Sequence, residues 1–175
     1  MYIIIGAPGE GKSEFVKKAI VGPPFRRCFV FDVQNEYGSR TKYPGQTPLR
    51  LSDNPNDSRA RYVNGDNIEG FMLQAKNKRD TIIVFEEATI FFQGRTDKLV
   101  RSLMVNRWHT GNVYMFLFHS INSVPPRIME MCNYIVLHRT LDEDHIVQWK
   151  YSRLFHHYLD LRDMPRGSRK IIKMM

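Results

Sequence analysis

The chain has 175 residues, of which 42% are hydrophobic and 25% are charged, and its formal net charge is +8 at pH 7. These values are typical of one globular domain that folds without disulfides or a structural metal, and they exclude a disordered or fibrous chain. The longest apolar runs, 81–85 and 113–118, are far shorter than the roughly 20 residues that cross a bilayer, and Glu10 interrupts the apolar start, so we expect neither a membrane span nor a signal peptide.

Apolar runs of strand length alternate along the chain with segments of helical spacing, which predicts an α/β fold with a mostly parallel sheet covered on both faces. The predicted strands are 2–5, 28–33, 81–85, 113–118, 134–138 and 145–151, and the predicted helices are 13–21, 66–77, 95–108 and 126–132. Residues 35–61 are rich in proline, glycine, asparagine and serine, which predicts a long functional or mobile loop.

The carboxyl-terminal end of the chain is basic. The last ten residues carry four cations and no acid, so we interpret 1–160 as one domain and 161–175 as a basic tail. The overall positive charge would attract a polyanion such as nucleic acid, although it could also be a merely soluble basic surface. Cys28 and Cys132 lie in apolar segments without metal-ligand spacing, so we expect two buried thiols in a reducing cytoplasm.

The first strand is followed by GAPGEGKS, residues 6–13, which matches the phosphate-binding loop GxxxxGK[ST] (P-loop, or Walker A) at every fixed position. Glycines let the backbone curl so that its amides point at phosphate oxygens, and the amino terminus of the next helix adds positive potential. We expect Lys12 to reach the β and γ phosphates of ATP and Ser13 to hold Mg²⁺; the alternative is a glycine-rich turn that matches by chance. The predicted nucleotide-binding residues are Gly6, Ala7, Pro8, Gly9, Glu10, Gly11, Lys12, Ser13 and Glu14.

A second motif is TIIVFEEA, residues 81–88, in which a buried strand ends in two carboxylates. Ligands of open α/β sheets bind at the carboxyl ends of the strands. We therefore expect Glu86 to bind the metal and Glu87 to orient or deprotonate the attacking water. The alternative is a solvated pair that opens the next helix, where the helix dipole favours carboxylates.

These motifs, together with YMFLFHS and NSVPPRIMEMCNYIVLHRT, make residues 1 to about 140 similar to the HerA and FtsK superfamily of DNA-pumping ATPases. Within it the chain most resembles the small genome-packaging ATPases of tailless viruses with an internal membrane. In that family the Walker B strand ends in aspartate then glutamate, and Glu86 stands here in the aspartate place. The resemblance implies a three-layer P-loop NTPase fold of the RecA type and an ATP-driven DNA translocase.

The resemblance also implies partners and two further site residues. The partners are DNA, other copies of the chain in a ring (pentamer or hexamer), and a capsid or membrane portal protein, in the host cytoplasm or with the virion. A polar sensor ends the strand after Walker B, where Ser120 is the first candidate and His119 the second. An arginine before that strand would reach the neighbouring subunit's nucleotide; Arg107 is the match, with Arg101 and Arg139 as alternatives.

Other polar residues have more than one candidate role. Asp32 and Glu36 resemble an acidic segment near the site of the same family, but Asp32 could equally cap a turn. A translocase must grip phosphates without reading bases, so scattered cations would suffice for DNA contact. The candidates are Arg40, Lys42, Arg50, Arg59, Arg61, Arg95, Lys98 and the cations of the tail, Arg166, Arg169, Lys170 and Lys173.

Three other functions are compatible with the sequence. A small nucleotide kinase also joins a P-loop to a short α/β domain, although adjacent acids and a polar sensor strand suit water as the acceptor. A non-catalytic module could bind a nucleotide only to fix its conformation. A phage assembly or secretion ATPase of the same superfamily is the third alternative.

Overall fold

The computed structural model describes residues 1–22, 27–38, 51–63 and 67–174. The described strands are β1 (Tyr2–Ile5), β2 (Cys28–Phe31), β3 (Arg59–Tyr62), β4 (Ile82–Phe85), β5 (Val113–Phe118), β6 (Tyr134–His138) and β7 (Arg169–Lys173). The α-helices are α1 (Lys12–Val21), α2 (Ile68–Lys76), α3 (Gly94–Val105), α4 (Arg107–Thr110), α5 (Pro126–Met131), α6 (Asp144–Lys150) and α7 (Ser152–Arg162), and a 3₁₀ helix covers Ala88–Phe92.

The strands form one seven-stranded sheet in the order β3-β2-β4-β5-β1-β6-β7. The pairs β1/β6, β2/β3 and β2/β4 are parallel, and β6/β7 is antiparallel. The predicted α/β class with a mostly parallel central sheet is therefore confirmed. By its internal contacts the chain comprises two compact units, Met1–Lys12 with Phe116–Met175, and Ser13–Met115.

In the first unit, β1 and β6 pair from Tyr2 with Tyr134 to Ile5 with Leu137. Both strands are continuous apolar runs because parallel strands are covered on both faces, and Ile3 and Ile135 are completely buried. β7 is different, since its residues alternate between exposed and half-buried, as expected of an edge strand with one covered face.

In the second unit, a cluster of aromatic side chains packs within the core. Phe71 of α2 stacks on Phe29 at 4.9 Å between ring centroids and meets Phe85 edge to face at 5.4 Å. Phe91 of the 3₁₀ helix packs on Phe31 at 4.8 Å and on Phe85 at 4.9 Å. This packing fixes the segment that directly follows β4, where the predicted glutamate pair lies.

Three sequence predictions differ from the structure. The predicted strand 145–151 is wrong, because Asp144–Lys150 is helix α6. An apolar alternation this short does not distinguish a strand from a helix. Val147 and Trp149, two positions apart, would share one face of a strand, but Val147 is buried and Trp149 is 87% exposed. The predicted loop 35–61 ends in strand β3, whose polar residues concealed it, and positions 39–50 of that loop lie outside the described residues. The segment 161–175, interpreted as a basic tail, contains the end of α7 and strand β7. Strand β7 pairs with β6, which the cations in its sequence did not indicate.

Candidate functional site

The P-loop is tied at its entrance to the ends of two strands. The Gly6 amide donates to the Phe118 carbonyl at 3.1 Å, and the Ala7 amide donates to the Arg139 carbonyl at 2.8 Å. Gly9 and Gly11 have φ values of +78° and +89°, in the left-handed region that favours glycine, and α1 begins at Lys12. The loop therefore curls between β1 and α1 as the motif predicts.

Only glycine fits at position 6. A Cβ there would lie 2.7 Å from Cβ of His138, the last residue of β6. Burial, followed by the charge of Arg169, lowers the pKa of His138 to about 4, so this imidazole is uncharged at neutral pH. The side chain that packs against Gly6 is therefore neutral, and any positive charge at the loop comes from other residues.

Lys12 is buried and its ammonium group lies inside the loop. Its Nζ donates to the carbonyl oxygens of Gly6 at 2.7 Å and Ala7 at 3.1 Å, and it lies 3.2 Å from Nδ1 of His119. An ammonium group has only donors, so Nδ1 of His119 is the acceptor in this contact. The carbonyl groups of the loop therefore accept the hydrogen bonds of the lysine. A phosphate oxygen could take their place as the acceptor.

Glu10 is a buried carboxylate within the loop, only 4% exposed. Its Oε1 accepts from Nη2 and Nε of Arg139 at 2.8 and 3.2 Å, and its Oε2 accepts from the Gly167 amide at 3.1 Å. Burial acts to raise the pKa of Glu10, but the hydrogen bonds from Gly167 and Arg139 outweigh it and the pKa lies below its ordinary value. Glu10 is therefore a charged anchor that joins the loop to two distant segments.

Glu86 follows β4 and is held by a buried tyrosine. The Tyr37 hydroxyl donates a short hydrogen bond to Oε1 of Glu86. Burial, and then the neighbouring charge of Glu86, raises the pKa of Tyr37 well above the ordinary value of tyrosine, so the hydroxyl stays protonated and keeps donating. This contact fixes the orientation of the Glu86 carboxylate.

Glu87 has an unusual backbone. Its φ and ψ are 52° and 47°, a left-handed conformation that costs a side-chain-bearing residue about 1–2 kcal/mol. Two other non-glycine residues with positive φ, Asn35 and Asp80, carry the short polar side chains that tolerate it, which glutamate does not. Nε2 of Gln34 donates to Oε1 of Glu87 at 2.8 Å. Strain of this kind clusters at functional sites, so it favours a functional Glu87 over a solvated helix start.

Ser13 and Glu14 lie in the first turn of α1. Glu14 pairs with the buried Lys17 at 3.1 Å, and the Lys17 ammonium lies 5.7 Å from the ring centroid of Tyr37. The predicted metal ligands, the Ser13 hydroxyl and the Glu86 carboxylate, are hard oxygen donors of the kind that Mg²⁺ prefers when it is bound through one or two side chains together with phosphates.

Asp32 caps a turn, which is the second of its two predicted roles. Its Oδ1 accepts from the Glu36 amide at 2.7 Å and its Oδ2 from the Tyr37 amide at 3.1 Å. Nη1 of Arg61 adds an ion pair at 3.1 Å. Asp32 thereby positions the segment that carries Gln34 and Tyr37.

The two sensor candidates have different surroundings. Ser120 lies in the turn after β5, where its Oγ accepts from the Ser123 amide at 3.0 Å and its carbonyl accepts from the Ser123 hydroxyl at 2.8 Å. His119, the second candidate, is the one in contact with Lys12. Of the two candidates, His119 is therefore the one that contacts the P-loop lysine, and Ser120 hydrogen-bonds within its own turn.

The three arginine candidates also differ. Arg139 is bound to Glu10 of its own chain, and Arg101 pairs with Asp97 one helical turn away. The guanidinium of Arg107 lies 5.1 Å from the ring centroid of Trp108, and within the described part of the chain its buried Nη1 has no hydrogen-bond acceptor. Arg107 is thus the candidate without a carboxylate partner among the described residues.

The predicted DNA contacts are partly engaged within the chain. Arg59 donates to the Ile20 carbonyl at 2.8 Å, Arg61 pairs with Asp32 and Asp53, and Lys170 pairs with Asp160. Lys98, Arg166, Arg169 and Lys173 are exposed. Arg40, Lys42 and Arg50 lie outside the described residues, as does the side chain of Arg95.

Sequence reasoning missed the residues that hold the predicted ones in place. These are Gln34 and Tyr37 for the glutamate pair, and Arg166, Gly167 and His138 for the P-loop. They are far from the motifs in sequence, and Tyr37 lies in a stretch whose polarity indicated a loop. The one usable signal was the glutamate inside the P-loop, since a buried carboxylate needs cationic or amide partners.

The comparisons with known proteins identify the fold. The chain is similar to the genome packaging NTPase B204 from Sulfolobus turreted icosahedral virus 2 in complex with AMPPCP, with a TM-score of 0.69, 16% identity, and coverage of 100% of this chain and 97% of that chain. The complex of that protein with ATP-gammaS gives a TM-score of 0.67, 15% identity, and coverage of 100% and 97%. EssC (ATPases 2 and 3) from Geobacillus thermodenitrificans gives 0.59 and 14%, with coverage of 98% of this chain and 37% of that chain.

At such low sequence identities, the structural similarity establishes a shared fold and no more. The likeness agrees with the resemblance that the motifs indicate, and it confirms the P-loop NTPase type of α/β sheet. No protein-family model matches the chain, and no curated protein is similar to it in sequence. In the described ranges, every helix is too short or too polar to span a membrane.

Proposed function

We propose that this chain binds ATP in the P-loop and hydrolyses it as a member of the HerA and FtsK superfamily. The observation that carries the proposal is the left-handed backbone of Glu87 at the end of a buried strand, in a chain with a complete GxxxxGKS loop. In this proposal Lys12 binds the β and γ phosphates, and Glu87 orients or deprotonates the water that attacks the γ phosphate. The nucleotides bound to B204, the structurally similar NTPase, support ATP as the ligand.

The proposal includes Mg²⁺ at Ser13 and Glu86. Mg²⁺ held there would supply positive charge against the negative charge that develops on the phosphates during hydrolysis. Glu86 supplies a carboxylate oriented by Tyr37, and Ser13 supplies a hydroxyl at the start of α1. Glutamate is one methylene longer than the aspartate of the family pattern, and the hydrogen bond from Tyr37 restricts where that longer side chain can place its oxygens.

We further propose that hydrolysis drives DNA through a homo-oligomeric ring, pentameric or hexameric, that packages a viral genome. The names of the similar proteins, a genome packaging NTPase and a DNA-packaging ATPase, support this function. The net charge of +8 suits a polyanionic cargo. Around Arg107, Val105 and Trp108 are 67% and 76% exposed, and exposed apolar side chains beside a planar cation suit a subunit interface. A capsid or membrane portal protein and a host-cytoplasmic or virion location complete the proposal.

The experiment that tests the proposal is steady-state phosphate release from ATP, with and without double- or single-stranded DNA. We expect release without any added acceptor, because water is the nucleophile, and an increase in rate when DNA is present. Release only after addition of a nucleoside monophosphate would indicate a kinase instead. ATP binding without release would indicate a module in which the nucleotide only fixes conformation.

A second candidate is an assembly or secretion ATPase of the same superfamily, which the likeness to the ATPase domains of EssC supports. The DNA arm of the experiment separates the two, since only a translocase needs DNA to raise its rate.

We also predict that DNA affinity falls steeply with salt. A protein that neutralises several phosphates releases counterions, and making six to ten phosphate contacts costs about 10³–10⁵-fold in affinity between roughly 50 and 200 mM salt. Fluorescence anisotropy with labelled DNA of unrelated sequences measures this slope. An affinity that is flat across that range would contradict the DNA-binding part of the proposal.

A further inference from the structure

The carboxyl-terminal turn of the chain lies against the P-loop. The Gly167 amide donates to Oε2 of Glu10 at 3.1 Å, and Nε of Arg166 donates to the Gly9 carbonyl at 3.2 Å. The turn itself is closed by the Ser168 amide on the Pro165 carbonyl at 3.1 Å, and β7 follows it directly. The segment that the sequence indicated as a tail therefore forms part of the wall of the phosphate-binding loop.

The position of Arg166 explains a glycine that the motif does not require. Position 9 is a variable position of GxxxxGK[ST]. A Cβ at this position would nevertheless lie closer to Nη2 of Arg166 than two non-bonded atoms can approach. Gly9 also has a positive φ of 78°. The loop and the guanidinium are thus fitted to each other: Gly9 leaves the space that Arg166 occupies.

Arg166 has donors and charge to offer a ligand. A guanidinium carries five N–H donors, and among the described residues Arg166 uses one of them, on the Gly9 carbonyl. Its side chain is exposed. The loop's carboxylate, Glu10, is already paired with Arg139 at 2.8 Å, and His138 beneath the loop is uncharged. Arg166 also acts electrostatically on Glu10, and its charge lies beside a loop whose amides suit phosphate.

We propose that Arg166 is a nucleotide-binding residue, whose guanidinium contacts a phosphate of the nucleotide held in the P-loop of the same chain. The Glu10–Gly167 hydrogen bond keeps the turn in place, so that Arg166 is positioned before the ligand arrives. The inference rests on the proposed nucleotide binding and adds a residue to it from outside the P-loop and Walker B motifs.

The test measures the dissociation constants of AMP and of ATPγS for the full chain and three variants of Arg166. Arg166→Ala removes both the charge and the hydrogen bond to Gly9, Arg166→Lys keeps a cation, and Arg166→Gln keeps a donor without the charge. Arg153→Ala is the matched control, because Arg153 is an exposed arginine on α7 of the same unit. Thermal unfolding of each variant reports whether the fold is intact.

We expect Arg166→Ala and Arg166→Gln to weaken nucleotide binding about tenfold, the effect of one hydrogen bond to a charged group, with Arg166→Lys intermediate and Arg153→Ala unchanged. Loss for both AMP and ATPγS places the contact at the first phosphate, and loss for ATPγS alone places it at a later one. Wild-type affinity in Arg166→Gln would overturn the inference, since Arg166 would then only brace the loop. If the unmodified chain bound neither nucleotide, the proposed function itself would fail.

Discussion

Replacement of Glu87 by glutamine is expected to lower ATP turnover by about 10²–10⁴-fold, the usual contribution of a general base, while nucleotide affinity stays close to that of the unmodified chain. The amide has the shape of the carboxylate but cannot accept a proton from water. Nε2 of Gln34 can still donate to the remaining carbonyl oxygen, so the local geometry should survive. Single-turnover phosphate release and equilibrium binding of ATPγS measure the two quantities separately.

Glu69→Gln is the matched control for this prediction, because Glu69 is an exposed glutamate in the first turn of α2 and has no proposed role in hydrolysis. Its turnover should equal that of the unmodified chain. Undiminished turnover in Glu87→Gln would refute the assignment of the base, although it would leave the P-loop assignment intact.

The left-handed backbone of Glu87 supplies an independent readout. Glu87→Gly removes the steric cost of that conformation, so we expect the variant to be inactive without the loss of stability that glycine usually causes. A residue kept for stability would behave in the opposite way, since its removal would lower the melting temperature. Thermal unfolding of Glu87→Gly beside Glu69→Gly therefore distinguishes a functional strain from a structural preference.

Local signals predicted most of the sheet, and they indicated a candidate site at its strand ends. β1, β4, β5 and most of β6 are short apolar runs, as expected of strands that are covered on both faces. The P-loop was visible because its requirements are local: glycines where the backbone turns, and a lysine at the start of a helix. The glutamate pair was visible because carboxylates rarely end a buried strand without a reason.

The contacts that complete the site were not predictable, because they join residues far apart in the chain. Glu10 and Gly167 are separated by 157 positions, and Tyr37 and Glu86 by 49. No periodicity or spacing encodes such pairs. β7 was missed for a related reason: its alternating cations suit an edge strand exposed on one face, and the same composition also suits a solvated tail.

The proposed ring predicts that two inactive variants restore each other's activity. Arg107→Ala should lower turnover by about 10³-fold or more, as expected for an arginine finger, and Lys12→Ala should be inactive because it lacks the phosphate-binding ammonium. In a mixed ring, a Lys12→Ala subunit can supply its intact Arg107 to the nucleotide of an Arg107→Ala neighbour, which keeps Lys12. With random mixing at equal amounts, about a quarter of head-to-tail interfaces would have both groups.

Turnover of mixed samples across a range of ratios measures this rescue, and Arg139 provides the control that gives it meaning. Arg139 binds Glu10 within its own chain, so an Arg139→Ala chain loses the contact that anchors its own P-loop. A Lys12→Ala neighbour cannot supply that contact, because it forms within one chain. Rescue with Arg107→Ala but not with Arg139→Ala would assign one arginine to the neighbouring site and the other to its own loop. If no ratio restored activity to the Arg107→Ala mixture, Arg107 would not act across an interface, and its stacking on Trp108 would be a structural contact only.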